Sequence, residues 1–241
     1  MIALYLIQVI FLFTSVSSEA VCRNGKLNER EIEQGVLVPV NVARENLVKG
    51  KQPNGYTTNS YLPKGKYMMK MGWDCGLEEK AIAALNSLTE KKTNWCPGEH
   101  ELPPAASDNT VFFVKARDDD YFDISEPVNS FMRPMFVNPM SREAIEADAV
   151  TYQGQRVIEN YVNLARADAT KIGCAWVRCS GRPRGVYSAY CLTNKAPLKK
   201  GDIIYQRGTG GCEMHDNECP VSSVCNATTS LCELSASHWH N

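Results

Sequence analysis

Ten cysteines behind an apolar leader constrain this chain more than any other feature. They are Cys22, Cys75, Cys96, Cys174, Cys179, Cys191, Cys212, Cys219, Cys225 and Cys232. Ile2 to Phe13 is almost unbroken apolar, with Val16-Ser17-Ser18 behind it. Such a run is too short to span a bilayer and ends in small residues, as a signal peptide does. Residues 1–18 are therefore expected to be a leader, cut near Ser18 or Ala20, although its only positive charge is the terminal amine. An even number of cysteines past a leader implies disulfides formed in an oxidising compartment. Five bridges are available, and the spacing alone leaves their connectivity open. No other stretch is long and apolar enough to cross a membrane. The expected product is secreted and extracellular, with no membrane span. With 241 residues it has room for a core of its own, so bridges supplement packing. The formal charge is −1 and no basic stripe carries interleaved aromatics, which argues against a nucleic-acid partner.

Local patterns give the elements. Asn28 and Glu31 have capping-box spacing and predict a helix running toward Lys49. Ile32, Val36, Val40, Ala43 and Leu47 supply its apolar face. Gly50 to Gly65 is rich in turn residues and reads as a surface loop. A second helix is expected over Leu77 to Thr89, with Asp74 near its start. Asn94 to Asp108 is Pro-rich and polar and reads as a loop held by Cys96. Val111 to Lys115 is a strand candidate. Asp118-Asp119-Asp120 reads as a solvated turn, since a calcium loop needs a spacing that adjacent acids lack. Ser125 to Met132 is expected to be helical, and Ser141 to cap a helix through Glu143, Ile145 and Ala149. Cys174 to Cys179 and Val186 to Leu192 have strand composition and flank the turn-like Gly181-Arg182-Pro183-Arg184-Gly185. From Gly211 on, small and polar residues surround four cysteines and read as a disulfide-held appendage. Zinc is the other use of four cysteines, but no Cys-x-x-Cys pair is present. Asn226-Ala227-Thr228 is an N-glycosylation sequon within it. His238 and His240 close the tail, either as a metal pair or as part of a loose terminus.

Several segments, in order, resemble the CAP superfamily (cysteine-rich secretory proteins, antigen 5 and pathogenesis-related 1). Ala169-Thr170-Lys171-Ile172-Gly173-Cys174-Ala175 resembles its second signature region. Asn41, Arg44, Val48 and Gly50 resemble a family helix, and Met71-Gly72-Trp73-Asp74-Cys75-Gly76-Leu77 its Met-x-Trp-Asp-x-x-Leu segment. Gly201, Ile204, Tyr205 and Gly208 fit its closing strand. Cys212 to Cys232 resembles the hinge-like module of nematode Ancylostoma-secreted-protein relatives. The resemblance implies an α+β fold, a three-layer α/β/α sandwich over residues 19–210, with a Cys-rich appendage and tail over 211–241. It also implies a central cleft in which two histidines and two acidic residues hold a divalent metal, typically zinc. Those positions read Val40, Asp108, Pro134 and Asn160 in this chain, with Glu126 as the alternative to Pro134. Valine and proline offer no side-chain ligand, so no metal or other cofactor is expected.

No catalytic residue is expected either. The four histidines, His100, His215, His238 and His240, lie in a loop, the Cys module and the tail. There is no Gly-x-Ser-x-Gly, and bridged cysteines offer no thiol. What remains is recognition. Lys200-Gly201-Asp202 is a basic-Gly-Asp tripeptide of the kind that mimics an integrin ligand, although the family commonly has glycine there. Phe131, Met132, Met135, Phe136 and Met140 form a Met-rich apolar stretch that would suit a lipid or sterol groove, or the core. Arg182, Arg184, Lys195, Lys199 and Lys200 add positive charge near the sheet turns, as a solvated face or as steering for an acidic partner. The sequence thus points to a secreted, non-enzymatic effector. Its expected partner is an extracellular host protein such as an integrin or a leukocyte or platelet receptor. A lipid carrier and a structural or developmental protein are the alternatives.

Overall fold

The computed structural model describes residues 19–57, 59–89, 96, 98–103, 106–118, 123–179, 185–213 and 218–235, with backbone alone at 88, 89, 100, 117, 118 and 185. The expected leader, Asp119, Asp120, Arg182, Arg184, His215, His238 and His240 lie outside the described residues.

The first helix, α1, starts at the expected capping box. The Asn28 Oδ1 accepts from the Glu31 N–H at 3.0 Å, and the Glu31 carboxylate accepts from the Asn28 N–H at 2.9 Å. It runs as a π-helix over Glu31–Leu37 and as an α-helix over Val38–Val48. The periodicity gave no sign of the wide turn. Pro39 lacks an N–H, and a widened turn before it accommodates the lost bond. Gly50, at φ +66°, ends the helix in the left-handed region.

A four-stranded sheet in the order β1-β4-β5-β2 is the middle layer. Its strands are β1 (Gly72–Trp73), β2 (Thr110–Asp118), β4 (Lys171–Cys179) and β5 (Gly185–Thr193). Only β1 runs parallel to its neighbour. Side chains alternate faces with period two. Phe112, Cys174, Ile172 and Cys191 join the larger core with Val36, Val40 and Leu47 of α1. α3 (Ser125–Met132) and α5 (Glu159–Ala165) complete that layer. Ala175, Tyr190, Leu192, Val111 and Phe113 face the other way, onto Leu77, Ala81, Ala84 and Leu85 of α2 (Cys75–Thr89). Asp74 caps α2, its Oδ1 accepting from the Leu77 N–H at 2.9 Å. The three layers match the fold expected from the resemblance.

Two ladders sit beside this sandwich. β3 (Ala149–Thr151) pairs with β6 (Ile203–Gln206). β7 (Ser223–Asn226) and β8 (Leu231–Leu234) form the C-terminal hairpin. The hairpin is docked on the domain. The Lys70 N–H donates to the Cys232 carbonyl and the Cys232 N–H to the Met68 carbonyl, both at 2.8 Å.

Two local expectations need correction. The helix after Ser141 is only Arg142–Ile145 (α4), and Ala149 starts a strand instead. The Gly50–Gly65 loop is not simply superficial, for Gln52, Asn54 and Leu62 are buried. The Asn54 side chain pairs with the Met140 backbone, accepting its N–H at 2.7 Å and donating to its carbonyl at 3.2 Å.

The bridges are Cys22–Cys75, Cys96–Cys179, Cys174–Cys191, Cys212–Cys225 and Cys219–Cys232. No cysteine is free. Cys174 and Cys191 face each other across β4 and β5. Cys22–Cys75 ties the N-terminal segment to the start of α2, Cys96–Cys179 ties a loop to β4, and the last two bridges lie within the C-terminal appendage.

Candidate functional site

The residues that carry the family resemblance are mostly structural. Arg44 is fully buried in α1. Its guanidinium donates to the carbonyls of Leu164 (2.9 and 2.8 Å), Met69 (2.5 Å), Ala169 (2.7 Å) and Arg166 (3.1 Å). Burial pulls its pKa down to about 9, against the pull of Asp168. Asn41 pairs its amide with both backbone groups of Met71, at 2.8 and 3.0 Å. Trp73 donates its indole N–H to Glu78 at 2.9 Å. Glu78, a buried carboxylate that the apolar pattern passed over, also accepts the backbone N–H groups of Lys26 and Leu27 at 2.8 and 3.2 Å. Buried polar groups persist when bonded this fully.

A cleft of about 340 Å³ lies between the loop before β2 and the start of α5. Glu99, Ser107, Asn109, Glu159, Asn160, Asn163 and their neighbours line it. Asn109 and Asn163 are committed to the frame. The Asn109 amide donates to the Thr193 carbonyl at 2.9 Å. Asn163 donates to the Glu159 carbonyl and accepts the Leu198 N–H, both at 2.9 Å.

The four expected metal positions are not gathered here. Asn160 lines the cleft and Asp108 sits on the exposed turn between the lining residues Ser107 and Asn109. Val40 is instead sealed in the helical core. Pro134 belongs to a 3-10 turn, Arg133–Phe136, and Glu126 to the exposed start of α3; neither lines the cleft. Val40 and Pro134, expected at ligand positions as residues that offer no ligand, thus lie away from the cleft lining. Glu99 lines the cleft, and no motif singled it out. That residue opens a 3-10 turn, Glu99–Glu101.

The donor set does not fit zinc. Among the described residues, the only three His, Cys, Asp or Glu ligand atoms close enough to share an ion are the sulfurs of Cys212, Cys219 and Cys225. All three are bridged, so they offer no thiolate.

Lys200-Gly201-Asp202 forms an exposed turn before β6. Gly201 takes φ +95°, which a side chain would strain. The Asp202 N–H closes on the Lys199 carbonyl at 2.9 Å, and its carboxylate accepts the Lys199 N–H at 2.8 Å. Lys195, expected to add free positive charge, is paired with Asp168 at 3.3 Å.

The Met-rich stretch divides. Phe131, Met132, Met135 and Met140 are buried, whereas Phe136 is 49% exposed. Met132 and Phe136 form one wall of a second groove, about 400 Å³, opposite Pro39, Val42 and Ala43 of α1. Tyr161 also lines it. Its hydroxyl is buried with no hydrogen-bond partner, and burial pushes the phenol well above its usual range.

Residues 37–192 match the sequence profile described as "CAP: Cysteine-rich secretory protein family". The chain belongs to the CAP family. No curated protein matches the sequence. Among solved structures, the CAP fold here resembles Na-ASP-1 (18% identity, TM-score 0.66), covering 89% of this chain and 48% of that one. It therefore spans about half the length of that structure. It resembles BmVAL-1 (19%, TM-score 0.67) over 88% of this chain and 98% of that one. It also resembles the hookworm platelet inhibitor (20%, TM-score 0.56) over 92% and 99% respectively. At these identities the likeness is one of fold. Among the described residues no helix is long and apolar enough to cross a membrane.

Proposed function

We propose that this CAP protein is a secreted, non-enzymatic effector that binds an extracellular host protein, with the Lys200–Asp202 turn as its contact. The observation behind this reading is the exposure of a cation, a glycine and a carboxylate on one tight turn. Its backbone is pinned at both ends, since the Gly201 N–H donates to the Tyr152 carbonyl at 2.7 Å and the Tyr152 N–H to the Asp202 carbonyl at 2.9 Å. A pinned turn loses little entropy on binding. An integrin-type receptor suits it, because such a receptor takes the carboxylate onto its own metal. A platelet-inhibiting protein of the same fold is consistent with that target class. Ten bridged cysteines, leaving no thiol nucleophile, support action by binding.

The test is inhibition of cell adhesion to integrin ligands. Asp202→Asn keeps an acceptor for the Lys199 N–H and removes the charge. It is expected to lower potency about tenfold or more, the cost of one charge-assisted contact. Equal potency of parent and variant moves the contact elsewhere. No inhibition by the parent removes the adhesion reading.

A second reading, a lipid or sterol carrier, is favoured by the groove between α1 and the Arg133–Phe136 turn. Pro39, Val42, Ala43, Met132 and Phe136 give it apolar walls, which suit an apolar ligand. Phe136→Asp should abolish uptake of a fluorescent fatty acid. Tyr161→Phe should leave uptake unchanged and raise the stability of the empty protein by about 1 kcal/mol, because the hydroxyl is buried unbonded and out of a ligand's reach. A destabilised Tyr161→Phe protein would mean that the hydroxyl is already satisfied.

A further inference from the structure

We propose that Asn226 carries an N-linked oligosaccharide, attached before the C-terminal hairpin closes and then held at the seam between that hairpin and the α/β/α domain. This rests on the secreted reading above. Asn226 is the one Asn-x-Ser/Thr acceptor in the whole chain. It is the last residue of β7, half-buried, and followed by the exposed Ala227 and Thr228. Its Oδ1 accepts from the N–H groups of Thr228 and Thr229 at 3.0 and 3.3 Å, an Asx-turn that brings the hydroxyl-bearing residue back toward the amide.

In the closed hairpin that amide is engaged. Its Nδ2 donates to Glu233 Oε1 at 2.9 Å, and the same oxygen accepts from Lys70 Nζ at 3.1 Å. Burial pushes the Glu233 carboxyl up, but the bonds from Asn226 and Lys70 outweigh it and keep it below its usual range, so the acceptor is a carboxylate. The Thr228 carbonyl accepts from Lys49 Nζ at 3.0 Å. Cys225, the residue before Asn226, bridges to Cys212, and Cys219 to Cys232 locks the facing strand. A transferase needs this amide in an extended, accessible chain, and the bridged hairpin withholds it. Attachment therefore comes first.

The chemistry balances with one co-reactant, a polyprenyl-diphosphate-linked sugar. The Asn226 nitrogen bonds to the anomeric carbon, the bond from that carbon to the diphosphate oxygen breaks, and the nitrogen gives one proton to a base of the transferase. The nitrogen keeps one hydrogen, enough for the Glu233 bond, so the hairpin closes with the glycan in place.

The experiment expresses the full chain in eukaryotic secretory cells and weighs the protein in the medium before and after an N-glycan amidase. The expected result is a mass excess of one oligosaccharide, lost on treatment and mapped to position 226. Asn226→Gln and Thr228→Ala should both be secreted at bare mass, and Thr228→Ser should keep the glycan. Parent protein in the medium at bare mass overturns the site while leaving the secreted reading intact. Parent retained in the cytosol overturns the secreted reading. For the order of events, glycan-free refolded protein is given microsomal membranes carrying the sugar donor. The oxidised chain should stay unmodified and the reduced, unfolded chain should gain the glycan. Equal modification of both overturns attachment before closure.

Discussion

Arg44→Met should cost about 4 kcal/mol of stability, seen as a lower denaturation midpoint at unchanged slope. The side chain is fully buried and its guanidinium closes on four backbone carbonyls. They come from the segment before β1, the end of α5 and the segment before β4. Leu164 lies near the end of α5, where carbonyls run out of helical partners, so Arg44 acts as a cap supplied from another helix. Methionine fills similar space but strands these acceptors, each worth about 1–3 kcal/mol when buried and unmet. Recovering the cost of burying a cation offsets part of that loss, which sets the estimate at about 4 rather than 8 kcal/mol. For a chain of this size the midpoint of thermal unfolding should fall by roughly 10 °C. Arg44→Lys should recover less than half, because an ammonium does not span carbonyls placed for a planar fork. A loss below about 1 kcal/mol for Arg44→Met would mean that water replaces the guanidinium and that the resemblance at this position has another cause.

Gly173→Ala is the second large effect. A Cβ at this position would lie 2.3 Å from the Glu78 backbone nitrogen and 2.6 Å from the Leu77 carbonyl carbon. These are backbone atoms of the first turn of α2, pressed directly on β4. No rotamer relieves the clash, so the helix must lift from the sheet. The lift also strains the Glu78 carboxylate, which holds Trp73 and the Lys26–Leu27 backbone. Overpacking of this kind costs about 1–3 kcal/mol, and the rigid partner places Gly173→Ala at about 3 kcal/mol. Gly76→Ala serves as the control: its Cβ meets only Asp74 Oδ1, at 3.3 Å. Comparable losses for the two would show that helix-terminal backbone conformation, not close approach, governs this corner.

These two positions show what the resemblance encodes. Asn41, Arg44, Trp73, Asp74 and Gly173 were legible as family marks, yet in the structure they join α1, α2, β1 and β4 to one another. A motif held by packing predicts the fold well and the chemistry poorly. Val40, which offers no ligand, faces the sealed core. Glu99 went unnoticed. Its loop has no periodicity, and only the fold brings it opposite Glu159 and Asn160.

The sequence by itself determined the elements whose causes are local. The Asn28–Glu31 box, the Asp74 cap, the apolar face of the Val38–Val48 part of α1 and the strand composition around Cys174 and Cys191 each act within a few residues, so each appears where expected. Tertiary structure alone decided the pairing of ten cysteines, the burial of Asn54 and Glu78, the division of the Met-rich stretch between core and groove, and the makeup of the cleft. The physical reason is range. Hydrogen bonds within a turn and the period of a helix are set by neighbours along the chain. A buried carboxylate or an unpartnered hydroxyl owes its state to atoms that only folding brings near.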